Sequence, residues 1–139
     1  MEQLYALLIF YSIVAIAVWV IIETNEKYGW NKILNGCLVD CVGCGELFGK
    51  RGSDYDFGTL QYESDKVPYE NCFTTFWNFS HFLTHLIGGY LAPDYFLLDF
   101  LLGVGFEAYE SQYACQDPND IIANTLGFVT GRYLATGKV

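Results

Sequence analysis

The chain has 139 residues, of which 53% are apolar and 18% aromatic, with a formal net charge of −9 and a mean hydropathy of +0.23. This length makes one domain, and the apolar fraction is high for a soluble domain but ordinary for a small membrane protein. The negative charge argues against nucleic acid or anionic lipid surfaces as partners. We therefore expect an all-α, multi-pass integral membrane protein with about four transmembrane helices.

The first predicted span is Leu4 to Ile22, which contains no charged residue. Its length is close to the ~20 residues that cross a hydrocarbon core. Residues 23–26 (ETNE) follow it, and they lack the small residues of a signal-peptide cleavage site. Residues 1–22 are thus interpreted as a retained anchor that faces lipid or packs on other helices and carries no catalytic residue.

Residues 23–71 form the second predicted unit, a long polar loop. They hold five of the seven Lys and Arg residues, which favours a cytoplasmic location. Three of the five cysteines, Cys37, Cys41 and Cys44, cluster here. No fourth Cys or His lies near them to complete a zinc site, so unpaired thiols and one or two disulfides both remain open.

Residues 72–139 are expected to form a three-helix membrane core. The predicted spans are Cys72 to Ala92, Tyr95 to Tyr113 and Asp120 to Ala135. His81 and His85 lie four residues apart and share one face of the first of these helices. Gly127 and Gly131 make a small-xxx-small pattern that allows close helix contact, within the chain or in a homodimer. The glycosylation sequon at residues 78–80 lies inside a predicted span and is discounted.

Oxygen-bearing side chains gather where the last two spans meet across a short turn. They are Glu107, Glu110, Asp117, Asp120 and Asn124. An ionisable residue inside a span costs about 2.5 kcal/mol or more and is a functional candidate for that reason. Asp99, Gly103 and Glu107 continue the same helical stripe. Each of these side chains also has a structural alternative: Asp117 can form the turn, Asp120 can cap the last helix, and Asn124 can hydrogen-bond between helices.

Carboxylates this close destabilise each other's ionised forms unless a cation lies between them. Oxygen ligands without cysteine favour Ca²⁺, Mn²⁺ or Mg²⁺ over zinc. His81 lies at about the depth of Glu107, so His81 or His85 is a candidate general base beside the metal. The sequence therefore predicts a divalent-cation site with histidine at one end of the hairpin.

Two membrane-protein families resemble this region, residues 77–135. Residues 120–131 (DIIANTLGFVTG) are similar to the D-x3-N-T-L-G-x3-G signature of VanZ-like proteins. Glu107-x2-Glu110 stands where that family carries E-x2-Q, so Glu110 replaces a glutamine.

The same hairpin resembles the core of phosphatidylserine synthases of the calcium-dependent base-exchange type. His81-Phe82 stands at that family's His-Phe pair, and Glu107-x2-Glu110 at its E-x2-E. The resemblance implies that His81 activates the hydroxyl of serine or an amino alcohol. It also implies that Ca²⁺ is held at the lipid phosphate by Glu107, Glu110, Asp117, Asp120 and Asn124. The present chain is shorter than those enzymes and spaces Asp120 and Asn124 one residue closer.

Two functions are compatible with these patterns. The first is a phosphatidyltransferase-like enzyme that exchanges serine or ethanolamine head groups on membrane lipid. The second is a non-enzymatic, VanZ-like or accessory subunit whose polar loop docks onto a larger membrane assembly. A transporter is less favoured, because the sequence shows no inverted repeat.

Overall fold

The computed structural model describes residues 1–34, 37–40, 72–110 and 118–139. Helices dominate these residues, as predicted: α1 (Glu2–Glu23), α2 (Asn25–Tyr28), α3 (Trp30–Leu34), α4 (Phe76–Leu91), α5 (Phe96–Glu110) and α6 (Pro118–Thr136). Two short strands, β1 (Cys37–Asp40) and β2 (Cys72–Thr75), pair antiparallel. Cys41, Cys44, Asp117 and most of the polar loop lie outside the described residues, as does the side chain of Glu110.

The start of the second predicted helix differs from the expectation. Residues 72–75 form β2, and the helix begins at Phe76. The Thr75 side chain accepts a hydrogen bond from the Asn78 backbone N–H at 3.2 Å, and the Asn78 side chain accepts one from the Thr75 backbone N–H at 3.2 Å. This reciprocal capping box satisfies two backbone N–H groups that would otherwise lack a partner at the start of the helix. It therefore fixes the first residue of α4.

The helix lengths support only part of the membrane prediction. Of the described helices, α1 alone is both long and apolar enough to cross a membrane. Helices α4 and α5 have 16 and 15 residues, which is about 22–24 Å at the helical rise, against a core about 30 Å thick. Helix α6 has 19 residues but is not apolar enough, so the described helices do not support the prediction of four spans.

Helices α4 and α6 pack with their backbones in contact. A Cβ atom on Gly127 would overlap the carbonyl oxygen of Phe82, and one on Gly131 would overlap that of Leu86. Gly89 of α4 meets the Phe128 backbone of α6 in the same way. The predicted glycine contact is thus made between two helices of the same chain. The homodimer stays a prediction, and this glycine face is already covered by α4.

The interior of the described bundle is unusually polar. Four apolar side chains are buried there, whereas eight polar or charged ones are. Large apolar side chains lie outside instead: Leu97 is 68% exposed, Leu134 61% and Leu126 56%. Water-soluble domains mostly bury large apolar residues and rarely bury charged ones, so the buried Asp99 and Asp120 and the exposed leucines depart from their usual pattern.

Candidate functional site

One polar cluster joins α4, α5 and α6. His81 Nδ1 lies 3.0 Å from Asn124 Oδ1 and 3.5 Å from Glu107 Oε1. One potential ligand atom from each of His81, Glu107 and Asp120 lies within 4.8 Å of the other two. The structure therefore brings together four residues that the sequence predicted for one site.

Asn78 supports this cluster and was missed as a site residue. Its side-chain Nδ2 donates a hydrogen bond to Asp120 Oδ1, while its oxygen takes part in the capping box with Thr75. Asp120 is thereby fixed in the first turn of α6 rather than left as a solvent-exposed cap. The T-x-x-N pattern at residues 75–78 was the available signal. Asn78 is only 5% exposed, which agrees with the discounted sequon.

Aromatic rings pack against His81. The Trp77 ring centroid lies 5.3 Å from that of His81 in an edge-to-face arrangement, and the Phe106 centroid lies 5.8 Å away. Trp77 also packs against Ile22 and Leu34. These contacts exclude water from one side of the imidazole, and electrostatic interactions strengthen in such surroundings.

A second buried cluster lies beside the first and involves His85. The Asp99 carboxylate contacts His85 Nδ1 through Oδ2 at 2.5 Å and accepts the Tyr11 hydroxyl through Oδ1 at 2.5 Å. The Tyr11 oxygen also lies 3.0 Å from His85 Nδ1. His85 is 4% exposed and Asp99 1%, so the pair is almost fully removed from solvent.

The second cluster separates His85 from the predicted cation site and adds a residue of α1 to the polar contacts. His85 does not join the group of His81 and Glu107 but pairs with Asp99, which sequence reasoning had placed only on a polar stripe. Helix α1, predicted to carry no catalytic residue, contributes the Tyr11 hydroxyl to this group. A Cβ atom on Gly88 would lie 2.6 Å from Asp99 Oδ1, so glycine provides the space that the carboxylate occupies.

Gly103 connects the two clusters. The point where its Cβ would stand lies 3.0 Å from Asn124 Nδ2 and 3.3 Å from His85 Nε2. The side-chain oxygen of Asn124 thus faces His81. Its amide nitrogen lies beside Gly103, where His85 also lies. The absence of a side chain at this position lets both polar groups approach the backbone of α5.

The donor set of the first cluster could hold a metal ion. It offers one imidazole nitrogen and two carboxylates from three helices, with the Asn124 oxygen beside them. Imidazole with carboxylates suits transition-metal ions such as Mn²⁺, Fe²⁺ or Zn²⁺, whereas Ca²⁺ prefers six to eight oxygen ligands. Of the other predicted ligands, Asp117 and the Glu110 side chain lie outside the described residues.

A cavity of about 680 Å³ lies between α1, α4 and α5. Its walls include Val14 and Val18 of α1 and Leu102 and Phe106 of α5. Polar side chains of α4 line it as well: Ser80, His81, Thr84 and His85. The volume falls within the range of about 300–1,000 Å³ that is common for ligand pockets. Both histidines are therefore accessible from one apolar space.

No protein-family model matches the chain, and searches of curated proteins and of solved structures gave no match. The resemblances to VanZ-like proteins and to phosphatidylserine synthases rest on the motifs quoted above.

Proposed function

We propose that the protein is a multi-pass membrane enzyme that exchanges the alcohol on the phosphodiester of a membrane phospholipid with the help of a divalent cation. The observation that carries this proposal is the approach of His81, Glu107 and Asp120 to within 4.8 Å, with His81 and Asp120 buried and Glu107 partly buried. Charged groups in such a setting are costly, and a bound cation offsets the repulsion between the two carboxylates.

The exposed apolar surface supports the membrane part of the proposal. Leu97 and Leu101 on α5, and Leu126 and Leu134 on α6, are each more than half exposed. Monomeric soluble proteins rarely expose apolar residues over such extended surfaces. With α1 as one span, the remaining helices would lie in a bilayer that is locally thinned around them.

Glu107 and Asp120 are the proposed carboxylate ligands, with His81 as the nitrogen ligand. Asn124 orients His81 through the 3.0 Å contact, and Asn78 orients Asp120. The nitrogen in this set favours Mn²⁺ over the Ca²⁺ that the sequence suggested, and Mg²⁺ remains a weaker alternative. When bound, such a cation polarises a phosphoryl oxygen and stabilises the charge that develops there.

His85 is the better placed of the two histidines to act as general base. Its Nδ1 is held by Asp99, which leaves Nε2 as the proton acceptor, the arrangement found in Asp-His catalytic pairs. His81, which the sequence suggested for this role, instead directs Nδ1 toward Asn124 and Glu107. His85 would take the proton of the incoming hydroxyl and return it to the leaving alkoxide.

The test is release of labelled choline from phosphatidylcholine vesicles that contain the full-length protein and Mn²⁺, with ethanolamine or a long-chain alcohol supplied in separate reactions as the acceptor. Glu107→Gln keeps the size of the side chain but removes a charged ligand, so we expect at least a hundredfold loss of release. Glu26→Gln removes an exposed carboxylate of α2 and should retain the wild-type rate. Equal release by the wild type and Glu107→Gln would refute the enzymatic proposal.

A second candidate function follows from the way the polar contacts join helices. His81 with Asn124 links α4 to α6, and Tyr11 with Asp99 links α1 to α5. Interhelical hydrogen bonds of this kind stabilise membrane bundles without any catalysis. An accessory subunit of a larger assembly would tolerate Glu107→Gln but lose assembly when residues 41–71 are deleted.

A further inference from the structure

The cavity between α1, α4 and α5 has a marked asymmetry. Its α1 and α5 walls are apolar apart from the phenolic hydroxyls of Tyr11 and Tyr109 and the indole N–H of Trp19, whereas the α4 wall presents Ser80, Thr84 and the two histidines. No aspartate or glutamate is among the described residues that line it. A ligand of this space is therefore expected to be largely apolar, and an ammonium group on it would find no carboxylate among the described residues that line the cavity.

His85 supplies the specific polar contact in this cavity. Asp99 Oδ2 and the Tyr11 oxygen both lie at His85 Nδ1, at 2.5 and 3.0 Å. The carboxylate accepts the Nδ1 hydrogen, and the neutral ring then has a lone pair at Nε2. Within the described part of the chain, Nε2 makes no hydrogen bond although the residue is only 4% exposed. An acceptor of this kind, on a nearly buried ring that lines the cavity, favours a ligand that donates.

We infer that the cavity binds a long-chain alcohol, whose hydroxyl donates to His85 Nε2 and whose chain lies between α1 and α5. As the acceptor substrate, a role that rests on the function proposed above, this alcohol would take the place of serine or ethanolamine. The ammonium group of those compounds would find no carboxylate on the described cavity walls. An uncharged lipid alcohol has no such group to bury.

The reaction is then a transesterification that needs no further reactant. The lipid alcohol loses its proton to His85 Nε2, and its oxygen forms a bond to phosphorus. The bond between phosphorus and the original head-group oxygen breaks, and the proton on Nε2 passes to that leaving oxygen. One phosphodiester is consumed and another is formed, so atoms and charge balance.

Binding is tested without turnover by photolabelling the full-length protein in phosphatidylcholine nanodiscs. The probes are a long-chain alcohol with a diazirine in its chain and its methyl ether, which has the same chain but no O–H donor. We expect the alcohol to label at least fivefold more efficiently than the ether. Equal labelling by the two probes would overturn the assignment of His85 as the acceptor.

Gly105 offers a matched pair of variants that test where the alkyl chain of the alcohol binds. It lines the cavity, and a Cβ atom there would meet no atom of the other described residues within 4 Å beyond the backbone of its own helix. Gly105→Phe should fill the space and reduce alcohol labelling at least tenfold, while Gly105→Ala should change it less than twofold. Ala15→Phe fills the cavity from α1 and should act like Gly105→Phe. Undiminished labelling in both phenylalanine variants would overturn the inference.

The inference and the proposed function fail in different ways. Glu107→Gln should lose Mn²⁺ binding but retain labelling by the alcohol. If the wild type binds no cation and releases no choline, but Gly105→Phe still abolishes labelling, the proposed function falls while the alcohol site stands. If ethanolamine supports choline release but the long-chain alcohol neither labels the protein nor serves as an acceptor, the alcohol site is refuted and the proposed function stands.

Discussion

Replacement of Gly131 by alanine should force α4 and α6 apart. The added Cβ would overlap the carbonyl oxygen of Leu86 and lie 2.8 Å from the backbone nitrogen of Tyr90. Both are backbone atoms, so no side-chain rotation relieves the overlap and the two helices must separate. Overpacking of this kind costs about 1–3 kcal/mol.

Gly105→Ala is the matched control, because Gly105 also lies inside a helix but its Cβ would meet no described residue of another segment within 4 Å. Alanine is favoured over glycine in helices by about 0.5–1 kcal/mol, and this gain applies at both positions. The difference between the two variants therefore isolates the clash. We expect Gly105→Ala to be at least as stable as the wild type and Gly131→Ala to be less stable than Gly105→Ala by about 1–3 kcal/mol.

The assay is equilibrium unfolding of the detergent-solubilised protein, followed by circular dichroism. Gly127→Ala should behave like Gly131→Ala, since its Cβ would overlap the carbonyl oxygen of Phe82. Equal free energies of unfolding for Gly131→Ala and Gly105→Ala would show that α4 and α6 do not approach at this face, and the position of Asn124 opposite His81 would lose its support.

Two further predictions concern residues that hold the polar clusters. Tyr11→Phe removes the hydrogen bond to Asp99 and should lower the free energy of unfolding by about 1–3 kcal/mol. The control is Tyr5→Phe, at an exposed position of the same helix, which should change that free energy by less than about 0.5 kcal/mol. Equal effects of the two substitutions would argue against the contact between Tyr11 and Asp99. Asn78→Ala removes both the cap of α4 and the donor to Asp120. It should weaken Mn²⁺ binding about 10–100-fold, as loss of supporting hydrogen bonds does at metal sites. Unchanged Mn²⁺ affinity, measured by titration, would show that Asp120 is not a ligand of the cation.

The helical architecture and the main cluster were accessible from the sequence for a clear physical reason. Charged residues inside apolar stretches are rare because they are costly, so Glu107 and Asp120 stood out without any structural information. Their spacing from the turn placed them at similar depth, and the small-xxx-small pattern indicated the helix that Asn124 lies on. The structure brings these residues together with His81.

Other features depend on contacts between distant segments. Tyr11 is one aromatic residue in a uniformly apolar helix, and nothing local indicates that its hydroxyl meets Asp99 on another helix. Asp99 and His85 each appeared on a polar stripe, but their pairing follows from the way α4 and α5 pack. The strand at Cys72–Thr75 was missed because its apolar residues continue the pattern of the helix, and only the Thr75 cap marks the boundary.

The most direct test of the central claim is Mn²⁺ binding to the purified full-length protein in detergent, beside Glu107→Gln. The proposed ligand set predicts saturable binding with one ion per chain, weakened at least a hundredfold in Glu107→Gln and unchanged in Glu26→Gln. Mn²⁺ binding that is absent from the wild type, or that is equal in Glu107→Gln, would contradict the cation site and leave His81, Glu107 and Asp120 as groups that join helices.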